Sequence, residues 1–132
     1  VCAHGMKPFS AAVLAMTALD SIAGHASDEV YGVLDEILSV ANVGSVITKD
    51  HAVGILCKLA QHPEYALRCM PLLLKQLVNS PNNQFPMYAE KAVVVIDEAH
   101  RARFYAILAE RVEVLEKESQ KKRVLKVMRK VG

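Results

Sequence analysis

The chain has 132 residues, of which 52% are hydrophobic, 23% are charged and 5% are aromatic, and its formal net charge is +2. It is long enough for one domain with a sizeable core, and its small net charge argues against the strongly basic domains typical of nucleic-acid binding. Because Trp is absent and aromatic residues are few, Leu, Val, Ile and Ala must form most of the core, which favours packed helices over a β-sandwich.

The cysteines and the apolar segments indicate a cellular location. Cys2, Cys57 and Cys69 have neither C-x-x-C nor metal-ligand spacing, which predicts reduced thiols in a cytoplasmic protein. The longest apolar run, residues 11–16, is far shorter than the ~20 residues that span a bilayer, so no membrane association is expected. A single domain is predicted over the whole chain, with residues 1–6 interpreted as a disordered end or an end derived from cloning.

Apolar residues spaced three and four apart, bounded by caps and breakers, predict seven helices. Pro8 suits the opening turn of the first, and Ser27 and Thr48 suit the N-caps of the second and third. Pro71 lies inside the fourth helix and is expected to kink or shorten it. The fifth contains a Val-Val-Val-Ile run at 93–96 that resembles a buried strand, but no partner strand is available. The predicted helices span about residues 8–23, 28–40, 48–61, 63–78, 86–99, 101–117 and 119–131, with a loop at 79–83.

A short apolar phrase recurs along these helices. It reads Ala-x-x-x-Leu-x-x-Leu-Ala in its fullest copy, and its four copies begin at Ala15, Ala52, Ala92 and Val124. The offsets between copies are 37, 40 and 32 residues, within the range expected of helix pairs stacked in an α-solenoid. A generic amphipathic helical bundle, which also gives some Ala/Leu echoes, is the alternative.

The helix pairs and their phrase resemble HEAT-like (armadillo-type) repeats from about Pro8 to Gly132. The resemblance implies an all-α, right-handed superhelix of about three and a half repeats that acts as a non-enzymatic binding or scaffold module. It is architectural only, because the Val-Arg pair common in such repeats is replaced by Ile47-Thr48 and Met87-Tyr88. None of the five histidines is followed by Glu, which disfavours the HEAT-like hydroxylases that hold two irons.

Charge is unevenly distributed along the chain. Residues 1–100 hold six Lys/Arg and ten Asp/Glu, net −4, whereas residues 101–132 hold ten and four, net +6. On the last helix Val124, Val127, Met128 and Val131 share one face, and the opposite face is basic. That basic face suits nucleic-acid phosphates, anionic lipid or an acidic protein segment; the alternative is a solvated cap that complements the helix dipole. The basic face consists of Lys122, Arg123, Lys126, Arg129 and Lys130.

The second helix of each stacked pair would line a concave face, and its outward positions form a candidate partner-binding row. A protein or peptide is the expected partner, because Leu14 and Val94 would expose apolar groups beside charges. Nucleic acid is second, since no aromatic residue interleaves with the basic ones to stack bases. The alternative is that the row is ordinary solvated surface. Separately, the open ends of a solenoid would suit a homodimer. The row comprises Leu14, Thr17, Ser21, His51, Gly54, Lys58, Lys91, Val94, Glu98, Arg123, Lys126 and Lys130.

Motifs for catalysis, metals or cofactors are not found in the sequence. It contains no glycine-rich phosphate loop, no G-x-S-x-G and no H-E-x-x-H. The nearest acid–base neighbours at helical spacing are His100 with Asp97 or Glu90, a weak pattern. We therefore expect no enzyme, no metal and no cofactor; the alternative is a small enzyme whose residues converge only in the folded chain.

Overall fold

The computed structural model describes residues 10–132, and in that range every regular element is an α-helix. The predicted all-α class is confirmed. Eight helices are present in the described range where seven were predicted from the sequence. They are α1 (Ala11–Ile22), α2 (Ser27–Gly32), α3 (Leu34–Val43), α4 (Val46–Ala60), α5 (Pro63–Val78), α6 (Phe85–Ala92), α7 (Glu98–Val112) and α8 (Glu118–Val131).

The chain divides into two compact units, residues 1–66 and residues 67–132. The first contains α1 to α4 and the first turn of α5, and the second contains the rest of α5 with α6 to α8. The single domain expected from the sequence stays a prediction. The interpretation of residues 1–6, and the helix start expected at Pro8, lie outside the described residues.

In the first unit, α1 and α3 both pack against α4. The middle of α4 is buried on all sides over residues 52–57, and Met16 and Ile37 bring apolar side chains to it from the two flanking helices. The helix begins after Ser45, whose hydroxyl accepts a hydrogen bond from the backbone N–H of Thr48. Thr48 is therefore not the N-cap but a buried residue of the first turn, and its own hydroxyl donates to the Ser45 carbonyl.

The second predicted helix is two helices, which is a correction to the sequence analysis. The break lies at Val33, whose φ of −114° and ψ of 20° are not helical. Gly32 precedes it, and the low helix propensity of glycine followed by a β-branched residue lowers the cost of interrupting the helix there. Ser27 is the first residue of α2 rather than its N-cap, and no side chain caps that helix.

In the second unit, α6 and α7 both pack against α8. Phe85, Tyr88 and Phe104 are the largest fully buried side chains of this core, and Val124 and Val127 are buried on α8. In the first unit, by comparison, Tyr31 and Tyr65 stack on each other with their ring centres 4.2 Å apart.

Arg111 closes the end of α5 in this unit. Its guanidinium donates to the carbonyls of Leu77, Val78 and Ser80, at 3.2, 3.3 and 2.8 Å, and lies 4.3 Å from the centre of the Phe85 ring. The last carbonyls of a helix have no partner within it, so this side chain supplies donors that the loop lacks. The loop predicted at 79–83 is confirmed.

The fifth predicted helix, 86–99, is wrong in its second half. α6 ends at Ala92, and residues 93–95 form a turn that is neither the helix nor the strand considered for them. Asp97 then begins α7 as its N-cap, with its carboxylate accepting from the backbone N–H of His100. Three consecutive valines are poor helix formers, and an aspartate N-cap close behind them starts the next helix instead.

Pro71 does not shorten α5, which runs without interruption from Pro63 to Val78. Proline removes a donor to the carbonyl four residues earlier, here that of Leu67. Both Pro71 and Leu67 are exposed, so water can satisfy the freed carbonyl.

Candidate functional site

Four polar side chains of the first unit meet where α1 packs against α4. His51 Nδ1 lies 2.8 Å from Asp20 Oδ2, and His51 Nε2 lies 3.1 Å from Thr17 Oγ1. Lys58 Nζ donates to Asp20 Oδ1 at 2.8 Å and also to the Asp20 backbone carbonyl. Asp20 is the centre of this cluster, and its side chain is 17% exposed.

The order of Thr17, His51 and Asp20 resembles a nucleophile, a base and an orienting carboxylate. Thr17, however, donates its hydroxyl proton to the carbonyl of Val13 at 2.7 Å, so that proton points away from the His51 ring. Thr17, His51, Asp20 and Lys58 thus form a polar contact that joins α1 to α4.

Gly54 permits this arrangement. A Cβ atom at this position would lie 2.9 Å from both carboxylate oxygens of Asp20, closer than carbon and oxygen approach without a bond. Gly54 is buried, so a partner cannot contact this member of the predicted row. Its role is to let α1 approach α4.

The structure therefore brings together Thr17, His51, Gly54 and Lys58 from the predicted row, but around a residue that the sequence analysis missed. Asp20 holds the place in its copy of the phrase that the buried Cys57 holds in the next copy, 37 residues later. The sequence signal that could have identified Asp20 is a carboxylate at a phrase position whose equivalent in the next copy is buried. The other two residues of the first copy, Leu14 and Ser21, are exposed.

The third copy of the row is not on one helix. Lys91 is exposed on α6, whereas Val94 lies in the turn that follows and is 78% exposed. Glu98 is the first residue of α7 and pairs with Arg101 at 3.2 Å. The predicted alignment of these three residues fails because α6 ends early.

The basic face of α8 is partly neutralised by Glu90 of α6. Arg123 donates through Nε and Nη2 to the two oxygens of Glu90, at 2.9 and 2.7 Å. These hydrogen bonds lower the pKa of Glu90 below its usual value, and the charges of Lys130 and Lys126 add to the effect. The same contact raises the pKa of Arg123.

The rest of the basic face is open to solvent. None of its other members makes an ion pair within residues 10–132, and each of them is exposed. Leu125 lies among them and is 42% exposed, so the outer side of α8 offers one apolar side chain surrounded by cations. These members are Lys122, Lys126, Arg129 and Lys130.

An apolar groove of about 280 Å³ lies between α1 and α3 in the first unit. Its wall is apolar except for Glu36, which is exposed and has no ion-pair partner in the described part of the chain. The lining residues are Ala12, Ala15, Met16, Leu19, Val33, Glu36, Ile37 and Val40.

A second groove, of about 380 Å³, lies between α5 and α7 in the second unit. Pro71, Leu74 and Val78 form its apolar wall, and its charged lining residues are the cations Lys75 and Arg103. His100 also lines it, with its Nδ1 2.6 Å from Asp97 Oδ1. The His100 and Asp97 neighbours noted in the sequence thus form a local capping contact.

The two described cysteines lie in the core. Cys57 and Cys69 are buried, and burial raises the pKa of the Cys69 thiol to about 11 against the opposing charge of Arg68. In residues 10–132 no group of three or more His, Cys, Asp or Glu is arranged to hold a metal ion. Across the same residues, each helix is too short or too polar to cross a bilayer.

No protein-family model, curated protein or solved structure matches this chain. The resemblance to HEAT-like repeats therefore stays a prediction from the sequence.

Proposed function

We propose that the chain is a non-enzymatic protein–protein interaction module built from HEAT-like helix pairs in a right-handed superhelix. The observation that carries the proposal is the side-by-side packing of α1 and α4, the helices that carry the first two copies of the phrase. In the second unit α8, which carries the fourth copy, packs on α6, and the third copy begins at the last residue of α6 and runs through the turn that follows. The helix immediately before each later copy, α3 or α7, also packs on it.

These paired helices run in the same direction. In the first unit Thr17 meets His51 and, one turn on, Asp20 meets Gly54, so both contacts join residues 34 positions apart. In the second unit Asn83 bonds Gln120 just before α6, and later in the chain Glu90 bonds Arg123. Equivalent helices of a solenoid stack in parallel at about one repeat length, which supports the repeat architecture over an unrelated bundle.

The surfaces of the two units favour a protein or peptide partner. Both grooves have largely apolar walls with a few charged side chains, the chemistry that an amphipathic helix or an extended peptide recognises. The polar groups of the Asp20 cluster, by contrast, contact one another between α1 and α4. In this proposal the module needs neither a metal nor a cofactor.

The test is capture of partners from lysate by the purified chain, with and without nuclease and at two salt concentrations. The variant K122E/K126E reverses part of the α8 face, and R101E/K117E is the matched control with the same change of charge at exposed positions. Protein partners that survive nuclease and are lost only with K122E/K126E support the proposal and locate the site. The proposal fails if no specific protein is retained.

Nucleic-acid binding remains the second candidate because four cations on the outer side of α8 lack carboxylate partners in the described residues. If Lys122, Lys126, Arg129 and Lys130 each contacted a phosphate, log affinity would fall with log salt at a slope of about −3.6. Nucleic acid that is recovered from the lysate at low salt and lost with K122E/K126E would replace the first candidate.

A further inference from the structure

We propose that copies of this chain bind head to tail, with the outer side of α8 on one copy seated in the α1–α3 groove of the next. The proposal rests on the proposed function because it names a partner for the same α8 surface. Both surfaces belong to single units, so it requires no particular arrangement of the two units within a chain.

The groove determines the chemistry of its occupant. Its wall is apolar, and the single charged residue in it is Glu36, which is exposed and has no ion-pair partner within residues 10–132. Asp28 and Glu29 on the neighbouring α2 are also exposed. An apolar side chain flanked by cations is therefore the occupant that would satisfy both the wall and its charge.

The outer side of α8 presents that pattern. Lys122, Leu125, Lys126 and Arg129 are spaced three, one and three residues apart, so they share one face of the helix over two turns. All four are exposed, and Leu125 is the apolar member. Helices that dock into grooves present anchors at this spacing.

The charges of the two units agree with contact between copies. Residues 1–66 hold three Lys/Arg and seven Asp/Glu, net −4, and residues 67–132 hold thirteen and seven, net +6. The groove between α5 and α7 is excluded as the acceptor, because Lys75 and Arg103 line it and would repel the cations of α8.

The two surfaces are different, so the contact is heterologous rather than two-fold symmetric. Such a contact leaves one groove and one α8 face unused at the ends of each open assembly. Rings form if the rotation between copies closes, and open filaments form if it does not. Assembly size should therefore grow with protein concentration.

The experiment is sedimentation velocity of the purified full chain from about 1 μM to about 1 mM, the range of weak interfaces. Wild type is expected to grow in mass with concentration. The groove variant E36K and the α8 variant K122E/K126E should each lose about tenfold or more in association constant. The controls E116K and R101E/K117E change charge outside both surfaces and should behave as wild type.

Charge-swap rescue separates a docking contact from a folding defect. An equimolar mixture of E36K with K122E/K126E, and the chain that carries all three substitutions, should both regain the association that the separate variants lose. A monomeric wild type over the whole range, separate variants that associate like wild type, or a failure of rescue each overturns the proposal. The first of these outcomes leaves capture of other proteins from lysate untouched, so it is distinguishable from failure of the proposed function.

Discussion

Replacing Gly54 with alanine tests the interpretation that Asp20 packs closely on α4. At this residue helix propensity and packing change the free energy of unfolding in opposite directions. Gly54 lies in the middle of α4, where glycine is less favourable than alanine by about 1 kcal/mol. On helix propensity alone, G54A should therefore raise the free energy of unfolding.

Packing predicts the reverse. The added Cβ would lie 2.9 Å from both oxygens of the Asp20 carboxylate, which His51 and Lys58 hold in place at 2.8 Å each. The carboxylate can move aside only by lengthening those contacts. Overpacking of this kind costs about 1 to 3 kcal/mol, so the net effect in wild type is a loss of up to about 2 kcal/mol once the propensity gain of about 1 kcal/mol is subtracted.

The sign should change when the obstacle is removed. In a D20A background the three atoms nearest to the added methyl group are absent, and G54A should then stabilise the chain by up to about 1 kcal/mol. Urea denaturation of wild type, G54A, D20A and the double variant gives the coupling, expected to be about 2 kcal/mol. G32A is the control, since a Cβ there meets no atom within 4 Å. If G54A stabilises wild type, or if its effect is the same in both backgrounds, the close packing of Asp20 on α4 is refuted.

Three further outcomes follow from the remaining contacts. E90Q should lower the free energy of unfolding by about 0.5 kcal/mol at pH 7, a value limited by the exposure of its pair with Arg123. Because the folded pKa of Glu90 lies below the ordinary 4.5, that difference should be complete above pH 4.5 and vanish as pH falls through the folded pKa in urea titrations of wild type and E90Q. R111K should cost about 2 kcal/mol in the same assay, since lysine keeps the charge but loses the fork of donors at the end of α5; a loss below about 0.5 kcal/mol would contradict this role. Cys69, with a pKa of about 11, should resist iodoacetamide at pH 8 in the native chain and react in urea, as followed by peptide mass spectrometry.

Helix positions were predictable where local chemistry was unambiguous. The bounds of α5 agree with the sequence prediction at both ends, because Pro63 opens the helix and the Asn- and Ser-rich loop closes it. The errors at Val33 and at residues 93–95 share a cause. In both places β-branched residues fit the apolar spacing of a helix but lower its stability. A prediction from apolar spacing alone does not include that loss of stability. Recognition of Asp97 as an N-cap, with Glu98 in the first turn, would have corrected the prediction for residues 93–95.

The contacts of the Asp20 cluster could not be predicted from the spacing of residues within a helix. Such spacing reports neighbours three or four residues apart, whereas Asp20 lies 31 and 38 residues from His51 and Lys58. The repeat length is the only sequence signal that spans such a distance. The 37-residue offset of the phrase aligns Asp20 with Cys57, whereas in the structure Asp20 meets Gly54, 34 residues away, so that offset alone would have named the wrong neighbour.

The internal contacts also change where a partner should be sought. Parallel helices in both units are joined through polar residues of the predicted row, by Asp20 with His51 and Lys58 in one unit and by Glu90 with Arg123 in the other. Side chains that face a neighbouring helix are used in holding it, and a partner would have to break those contacts to reach them. In the proposed module, binding should therefore depend on the groups that these contacts leave open, which are the outer cations of α8 and the two grooves, rather than on the row members that hold neighbouring helices together.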